Sequence, residues 1–531
     1  MLVNKNFDPH FDVLILGAGL SGTLAALELP SHLKIALVDV GDEVIHARST
    51  SYNQCNKLHI GLHYAGDIET AQKCLEDSLL FASKYKNYIL GQPSDPWRRG
   101  RYFVMSNSLF SPDKIKDVSA SLSDRYQQEA KKCNYVFGQP EDFIRVIKPE
   151  QYPDIAKEVI FTDEKGHQNN THVELGIETS ESQINIDVFR VDLKKRIDES
   201  ESISFIPHHK VTKIDFDPKS LSYTVHAENI HSGLESIFYG ESVVNSTWQN
   251  IELLDKRKRT QSEDERLIRV KASVLVKLPR ALHRLNTCIF SVGPFCSFTN
   301  LGNGTGILTE ESVSNIGHYV AGGKLSSSLE ALINAENPLA LPLGQEIAAN
   351  ILLKSSRFIP KLTEATVLRL RTGYVKIQTR GLEYSLYSPE SPVHFRTEGG
   401  VEQKGFGYFS ASGMKMTYTF PNALMIKGLV DEHFKIKKAL SLALQKVFIF
   451  NSNKLSHFYD HLGSELGVSN EASLREYVSI KTGISLTRLR QVLPDDQLAV
   501  ILREHAPLAE NHAILCPHIP LASQVFEREA V

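Results

Sequence analysis

Residues 17–22 read Gly-Ala-Gly-Leu-Ser-Gly, and an aspartate, Asp39, stands 22 positions past the first of these glycines. The spacing is G-x-G-x-x-G, and each glycine has a physical use. Gly17 makes a tight turn, Gly19 lets backbone approach a pyrophosphate, and Gly22 lets a helix pack closely on a strand. A helix that opens at Leu20 and Ser21 turns its first N–H groups and the positive end of its dipole toward the anion. Asp39 then offers a carboxylate to the hydroxyls of a ribose. This is dinucleotide chemistry, common to NAD and FAD; a glycine turn in an ordinary α/β domain is the plainer alternative.

Proton transfer needs a different residue type. His59 and His63 carry imidazoles, which accept a hydroxyl proton near neutral pH. A packing histidine is the alternative at both positions. The basic runs Arg98-Arg99-Gly100-Arg101 and Lys256-Arg257-Lys258-Arg259 read as solvated loops, and Glu263, Asp264 and Glu265 soon follow the second. The six cysteines include no C-x-x-C pair, so neither a disulfide framework nor a metal site is expected.

Two stretches after Asp39 separate the cofactors. Arg48-Ser49-Thr50-Ser51-Tyr52-Asn53-Gln54 and Leu58-His59-Ile60-Gly61-Leu62-His63-Tyr64 resemble the D-amino-acid-oxidase superfamily of FAD enzymes. The nearest resemblance is to the branch with L-2-hydroxyglutarate and glycerol-3-phosphate dehydrogenases. It implies that Ser49, Ser51 and Asn53 bear on the pyrophosphate and that His59 and Gly61 pass the flavin ring. Asn185 to Phe189, with Phe205 to Ile214, resembles the family's helix–strand pair, in which Val211 would meet adenine through its backbone. Val243-Val244-Asn245-Ser246-Thr247-Trp248 resembles a strand ending that usually reads V-V-N-A-A-G-x-W. The glycine is missing here, which puts the contacts of Ser246 and Thr247 in question. Ser412-Gly413-Met414-Lys415-Met416-Thr417 resembles the G-G-K-x-T turn before the last cofactor-facing helix, and Pro421 suits that helix's first turn. Reduced flavin gathers negative charge along its N1–C2=O edge, which a helix N-terminus with Lys415 and Thr417 would stabilise. Arg371 falls where members of the family hold a substrate carboxylate, with Arg396 as second choice; a solvated strand face shared with Arg369 is the rival.

These residues need elements to hold them. Residues 12–16 form an apolar run that ends at glycine, Leu20, Leu24 and Leu27 keep helical spacing, and a second run, Ile35 to Val38, ends at Asp39. That is a strand–helix–strand unit. Val274, Val276 and Leu278, then Thr287 to Phe298, alternate like antiparallel strands with one wet face, and Arg380 to Phe395 reads as strand and turn. From Asn422 onward the pattern is helical, with turns near Gly463–Val468, Gly483 and Pro494. The expected fold is α/β (α+β overall): a Rossmann-type FAD-binding domain, an inserted antiparallel-sheet substrate domain and a helical C-terminal extension. Residues 10–80, 180–260 and 400–430 are assigned to the first, 81–179 and 261–399 to the second, and 431–531 to the third.

At 531 residues several domains are natural, and a net charge of −3 gives no field that would draw nucleic acid. No signal peptide or membrane-spanning run stands out, so a cytoplasmic protein is expected, with peripheral membrane contact left open. The resemblance implies an FAD-dependent oxidoreductase acting on a C–H bond next to a hydroxyl or amine of a small carboxylate-bearing molecule. A 2-hydroxy acid is the preferred class and an amino acid or amine the alternative; oxygen, a quinone or another acceptor would take the electrons. An NAD-dependent dehydrogenase and a flavin-free scaffold are the competing readings.

Overall fold

The computed structural model describes residues 8–91, 95–152, 154–162, 167–255, 267–293, 295–320, 323–377, 385–391, 394, 400–413, 415–450 and 471–505. It divides into two compact units, residues 1–216 with 222–430, and residues 217–221 with 431–531.

In the first unit β1 (His10–Leu16) runs into α1 (Leu20–Glu28) and then β2 (Ile35–Val38). Val13 to Leu16 and Ile35 to Leu37 are wholly buried, as parallel strands covered on both faces must be. β1 lies between β2 and the strand Glu235–Asn245, parallel to both, with Leu14 opposite Ala36 and Val243. The sheet has eight strands: Ile203–Ile206 extends it beyond β2, and Tyr408–Ala411 pairs in parallel with the end of Glu235–Asn245. The expected stretch Phe205 to Ile214 is two strands, because the chain breaks at Pro207 and at His208, whose φ is 62°. Val211 belongs to the second of them, His209–Asp217.

A ten-stranded sheet forms the other layer, centred on Leu267–Lys277, Thr305–Glu310, Cys296–Asn300, Thr287–Ser291, Gly100–Met105 and Gln168–Thr179. It differs from expectation in two ways. The sheet is mixed: Thr287–Ser291 pairs in parallel with Gly100–Met105, two segments far apart in sequence and so free of the hairpin constraint. Its middle strands also lack a wet face. Every residue of Thr287–Ser291 is buried, and Ile347, Ala348, Ile351 and Phe358 of the helix Pro342–Phe358 join the same core as Val274, Val276, Phe290 and Phe298. A covered face needs no polar alternation. The run at Arg98 is likewise no solvated loop: it leads into the strand Gly100–Met105, and Arg98 is buried. The run Lys256–Arg259, Arg396 and the Gly463–Val468 turn lie outside the described residues, as does most of Arg380 to Phe395.

The helix Thr419–Phe450 begins in the first unit. Within the second unit, Glu471–Thr482, Leu486–Val492 and Asp495–His505 are helices that turn at Gly483 and Pro494. Arg475 donates to the Leu493 carbonyl at 3.0 Å and pairs with Asp495 at 2.7 Å, closing the second turn. Among the described residues no helix is long and apolar enough to cross a membrane.

The contact of α1 with β1 allows no side chain at Gly22, where a Cβ would lie 1.9 Å from the Gly17 carbonyl oxygen. Gly22→Ala should lower the unfolding free energy in a guanidinium titration by about 1–3 kcal/mol, the usual cost of overpacking. Gly428→Ala has nothing within 4 Å of the new methyl group and should be neutral or stabilising. Equal midpoints for the two variants would refute the close contact.

Candidate functional site

At the end of β1 the chain turns through Gly17, whose φ is 94°; a Cβ there would meet the Ser246 carbonyl oxygen at 2.7 Å. The Gly17 N–H donates to the Val38 carbonyl and the Ser246 N–H to the Leu16 carbonyl, both at 2.8 Å. Three strand ends are thereby tied together. Asp39 tightens the knot: Oδ2 accepts from the Ala18 N–H at 2.5 Å and Oδ1 from the Gly41 N–H at 2.6 Å. Gly19, by contrast, faces open space, with no atom within 4 Å of a would-be Cβ.

That space is a cleft of about 440 Å³. Gly17, Gly19, Leu20, Ser21 and Asp39 form one wall, and Ser49 and Ser51, flanking the start of the short helix α2 (Thr50–Asn53), form another. Val211, Ser246, Thr247, Gly413, Lys415 and Met416 complete it. Residues from across the chain thus converge, and they fit a dinucleotide: glycines that leave room for the pyrophosphate, an acid and a cation. Met414 lies outside the described residues. Gly22 supports the turn from behind. Asn53 points away from the cleft, donating to the carbonyls of Ala47 and Ser49 at 2.9 and 3.2 Å. Gly61, at φ 104°, lies against the Ala71 carbonyl in the helix Ile68–Lys84, so its role there is close packing.

Trp248 and Tyr374 also line the cleft, and sequence reasoning missed both as site residues. Trp248 occupies the place of the missing motif glycine and adopts φ 54°. That left-handed conformation is disfavoured for a side chain of this kind, at a cost of about 1–2 kcal/mol. Its indole N–H donates to the Tyr374 carbonyl at 3.2 Å, and the Lys376 ammonium lies 5.1 Å from its ring, contacts that offset the strain.

Lys415 precedes the 3₁₀ turn Met416–Tyr418, from which the helix Thr419–Phe450 opens. Its Nζ is buried, makes no hydrogen bond and stands 3.7 Å from the centre of the Tyr64 ring. Burial works against the charge, but the Cys74 thiol and the Tyr64 phenol beside it prevail and raise its pKa. Thr417 is buried, and its hydroxyl makes no hydrogen bond.

No family model and no curated protein matches this sequence. Solved structures do. The chain is similar to glycine oxidase from Geobacillus kaustophilus at 12% identity and a TM-score of 0.52, over 80% of this chain and 95% of that one. It is similar to L-amino acid deaminase from Proteus vulgaris at 11% identity and a TM-score of 0.51, over 81% and 95%. The chain has the D-amino-acid-oxidase fold.

Within the D-amino-acid-oxidase fold, His59 and His63 sit beside Lys415 rather than on the cleft wall. His59 Nδ1 is 3.4 Å from Glu181 Oε2, and the rings of His59 and His63 are 5.9 Å apart. Glu181 is 1% exposed and accepts from the Tyr102 hydroxyl at 2.7 Å and the Ile60 N–H at 3.3 Å. Burial would raise its pKa, but His59, then Lys57 and the Tyr102 hydroxyl, bring it down to about 2. Burial lowers the pKa of His59 against the pull of Glu181. For His63, burial, then the His59 and Lys415 charges, push it well below the ordinary value. Burial thus favours the neutral form of both rings. Glu181 and Tyr102 carry no local signal in the sequence; only the fold brings them to His59.

Arg371 is 6% exposed and is not on the cleft wall. Its guanidinium lies 5.5 Å from the Tyr52 ring centre, with those of Arg190 and Arg369 at 4.9 and 5.7 Å. Burial lowers its pKa while Tyr52 and Asp187 oppose.

The Glu181 carboxylate raises the proton affinity of His59, so neutralising it should lower the His59 pKa further. Histidine ring resonances followed by NMR through a pH titration of Glu181→Gln measure this directly. A His59 midpoint equal to that of the unaltered protein would mean that the 3.4 Å contact carries no charge coupling.

Proposed function

We propose that the protein is an FAD-dependent oxidoreductase that removes hydride from a C–H bond next to a hydroxyl or amine of a small carboxylate-bearing molecule. The observation that carries this reading is Lys415: a buried ammonium without a hydrogen bond, in a residue that lines the same cleft as the G-x-G-x-x-G turn. FAD, when bound, supplies the two-electron acceptor. The chain's own residues do the rest. The turn at Gly19 and the N–H groups of Leu20 and Ser21 would hold the pyrophosphate. Asp39 uses one lone pair on each oxygen to hold the turn and keeps others for ribose hydroxyls. Lys415 would hold positive charge where negative charge collects, and burial makes that interaction stronger than in water.

For the substrate, a 2-hydroxy acid is preferred, in line with the resemblance to the L-2-hydroxyglutarate and glycerol-3-phosphate dehydrogenase branch. His59 then accepts the hydroxyl proton at Nε2, while Glu181 faces Nδ1. An amino acid or amine is the second reading, favoured by the position of both histidines behind the cleft wall, because a neutral amine needs no base. The carboxylate clamp is not assigned to Arg371 in its present position against Tyr52.

The purified protein should show the absorbance of bound flavin, and folded Gly19→Val should lose it, since the new side chain would fill the open space of the cleft. Full occupancy in that variant would place the cofactor elsewhere. Anaerobic bleaching across 2-hydroxy acids, amino acids and polyol phosphates then identifies the substrate class.

Lys415→Met should leave oxidised FAD bound and lower its reduction potential, by about 30 mV for each 1.4 kcal/mol of lost charge stabilisation. An unchanged potential, measured by dye equilibration, would remove Lys415 from the cofactor's surroundings.

A further inference from the structure

The basic run Arg98-Arg99-Gly100-Arg101 has no part in the cleft, yet it is built into the fold. Glu178, in the strand Gln168–Thr179, stands opposite Arg101 on one side and Arg145 of the strand Ile144–Ile147 on the other. Arg99 and Arg145 reach its Oε1 at 2.9 and 2.6 Å, and Arg101 reaches Oε2 at 3.1 Å. Three guanidiniums thus share two carboxylate oxygens. Arg98 adds a fourth; it is 6% exposed and donates from Nε to the Ser182 hydroxyl at 3.1 Å. Asp95 and Asp142 are the other carboxylates that Arg98 and Arg99 feel. Each guanidinium carries five N–H donors, and although Arg99 also holds the Asp142 carbonyl and Arg101 the Gln151 carbonyl at 2.8 Å, donors are left over.

Arg98 and Arg99 open onto a cavity of about 330 Å³ that shares no wall residue with the cofactor cleft. Ser180, Gln139 and Asp142 are its other polar lining residues, and Tyr135 and Phe137 its aromatic ones. The loop bearing these aromatics is strained, with Asn134 and Tyr135 both at φ 52°. It is held there by the Tyr135 N–H on the Ala130 carbonyl at 2.8 Å and the Tyr126 hydroxyl on the Gly138 carbonyl at 2.6 Å. Two consecutive left-handed residues other than glycine persist only where the surroundings impose them, and such strain gathers at binding sites.

We infer that this cavity is a second ligand site, which binds a small molecule bearing an oxyanion, a phosphate or carboxylate, on Arg98 and Arg99 with a planar body against Tyr135 and Phe137. The inference is independent of the flavin reading.

Isothermal titration calorimetry of the full chain as purified, with inorganic phosphate, phenyl phosphate and benzoate, tests it. At least one aromatic anion should bind at one site per chain; if phosphate is the recognised group, phenyl phosphate should bind more tightly than inorganic phosphate, and if carboxylate is, benzoate should lead. Arg98→Lys, which keeps the charge and much of the stem, should weaken binding about tenfold through loss of the guanidinium fork. Tyr135→Asn, which tolerates the left-handed backbone, should weaken the aromatic anion and spare inorganic phosphate. Arg48→Met, at the cofactor cleft, should change neither. Absence of heat with all three anions would overturn the site, as would binding that is lost in Arg48→Met but kept in Arg98→Lys.

Discussion

Gly17 sits so close to Ser246 that a single added carbon would fall 2.7 Å from the carbonyl oxygen, and the rest of the cleft depends on that approach. Because β1 and the strand Glu235–Asn245 end side by side, their backbones share one rim. Asp39, arriving from β2, then reaches the Ala18 N–H and fixes the turn's direction. Only with these three ends tied can α1 start where its first N–H groups overlook open space. A larger residue at Gly17 would have to separate two paired strands, not just crowd a loop.

Two lysines of the unit show how burial and charge are reconciled, and Lys415 differs from both. Lys376 is paired with Glu252 at 2.9 Å, and Lys271 with Glu311, whose pKa falls to about 2 because Lys271 and then Arg269 overcome its burial. Buried pairs of this kind do little better than apolar packing, but breaking one leaves a costly lone charge. Lys415 has a ring face and a thiol for neighbours instead of a carboxylate partner like those.

The cofactor half was largely legible because its signals are local. Apolar runs that end in glycine, an acid at the end of the second run and a Gly-Met-Lys turn each sit within a few consecutive residues. The His59–Glu181–Tyr102 group was not legible, since its members come from three distant segments and meet through the pairing of Lys57–Leu58 with Ser182–Gln183 and of Gly100 with Thr179. The parallel pairing of Thr287–Ser291 with Gly100–Met105 was hidden for the same reason. For Arg371 the sequence could not show the side chain's neighbour: the guanidinium lies 5.5 Å from the Tyr52 ring centre, a contact between distant segments. At Trp248 a motif departure looked like a lost contact, yet the residue there still lines the cleft.

That indole gives the molecule a built-in optical reporter. The chain has two tryptophans, and Trp248 is on the wall of the cleft while Trp97 is not. Tryptophan emits where flavins absorb, so a flavin in the cleft would quench Trp248 by energy transfer at short range. Cleft occupancy can therefore be followed by intrinsic fluorescence alone, with no label and no turnover.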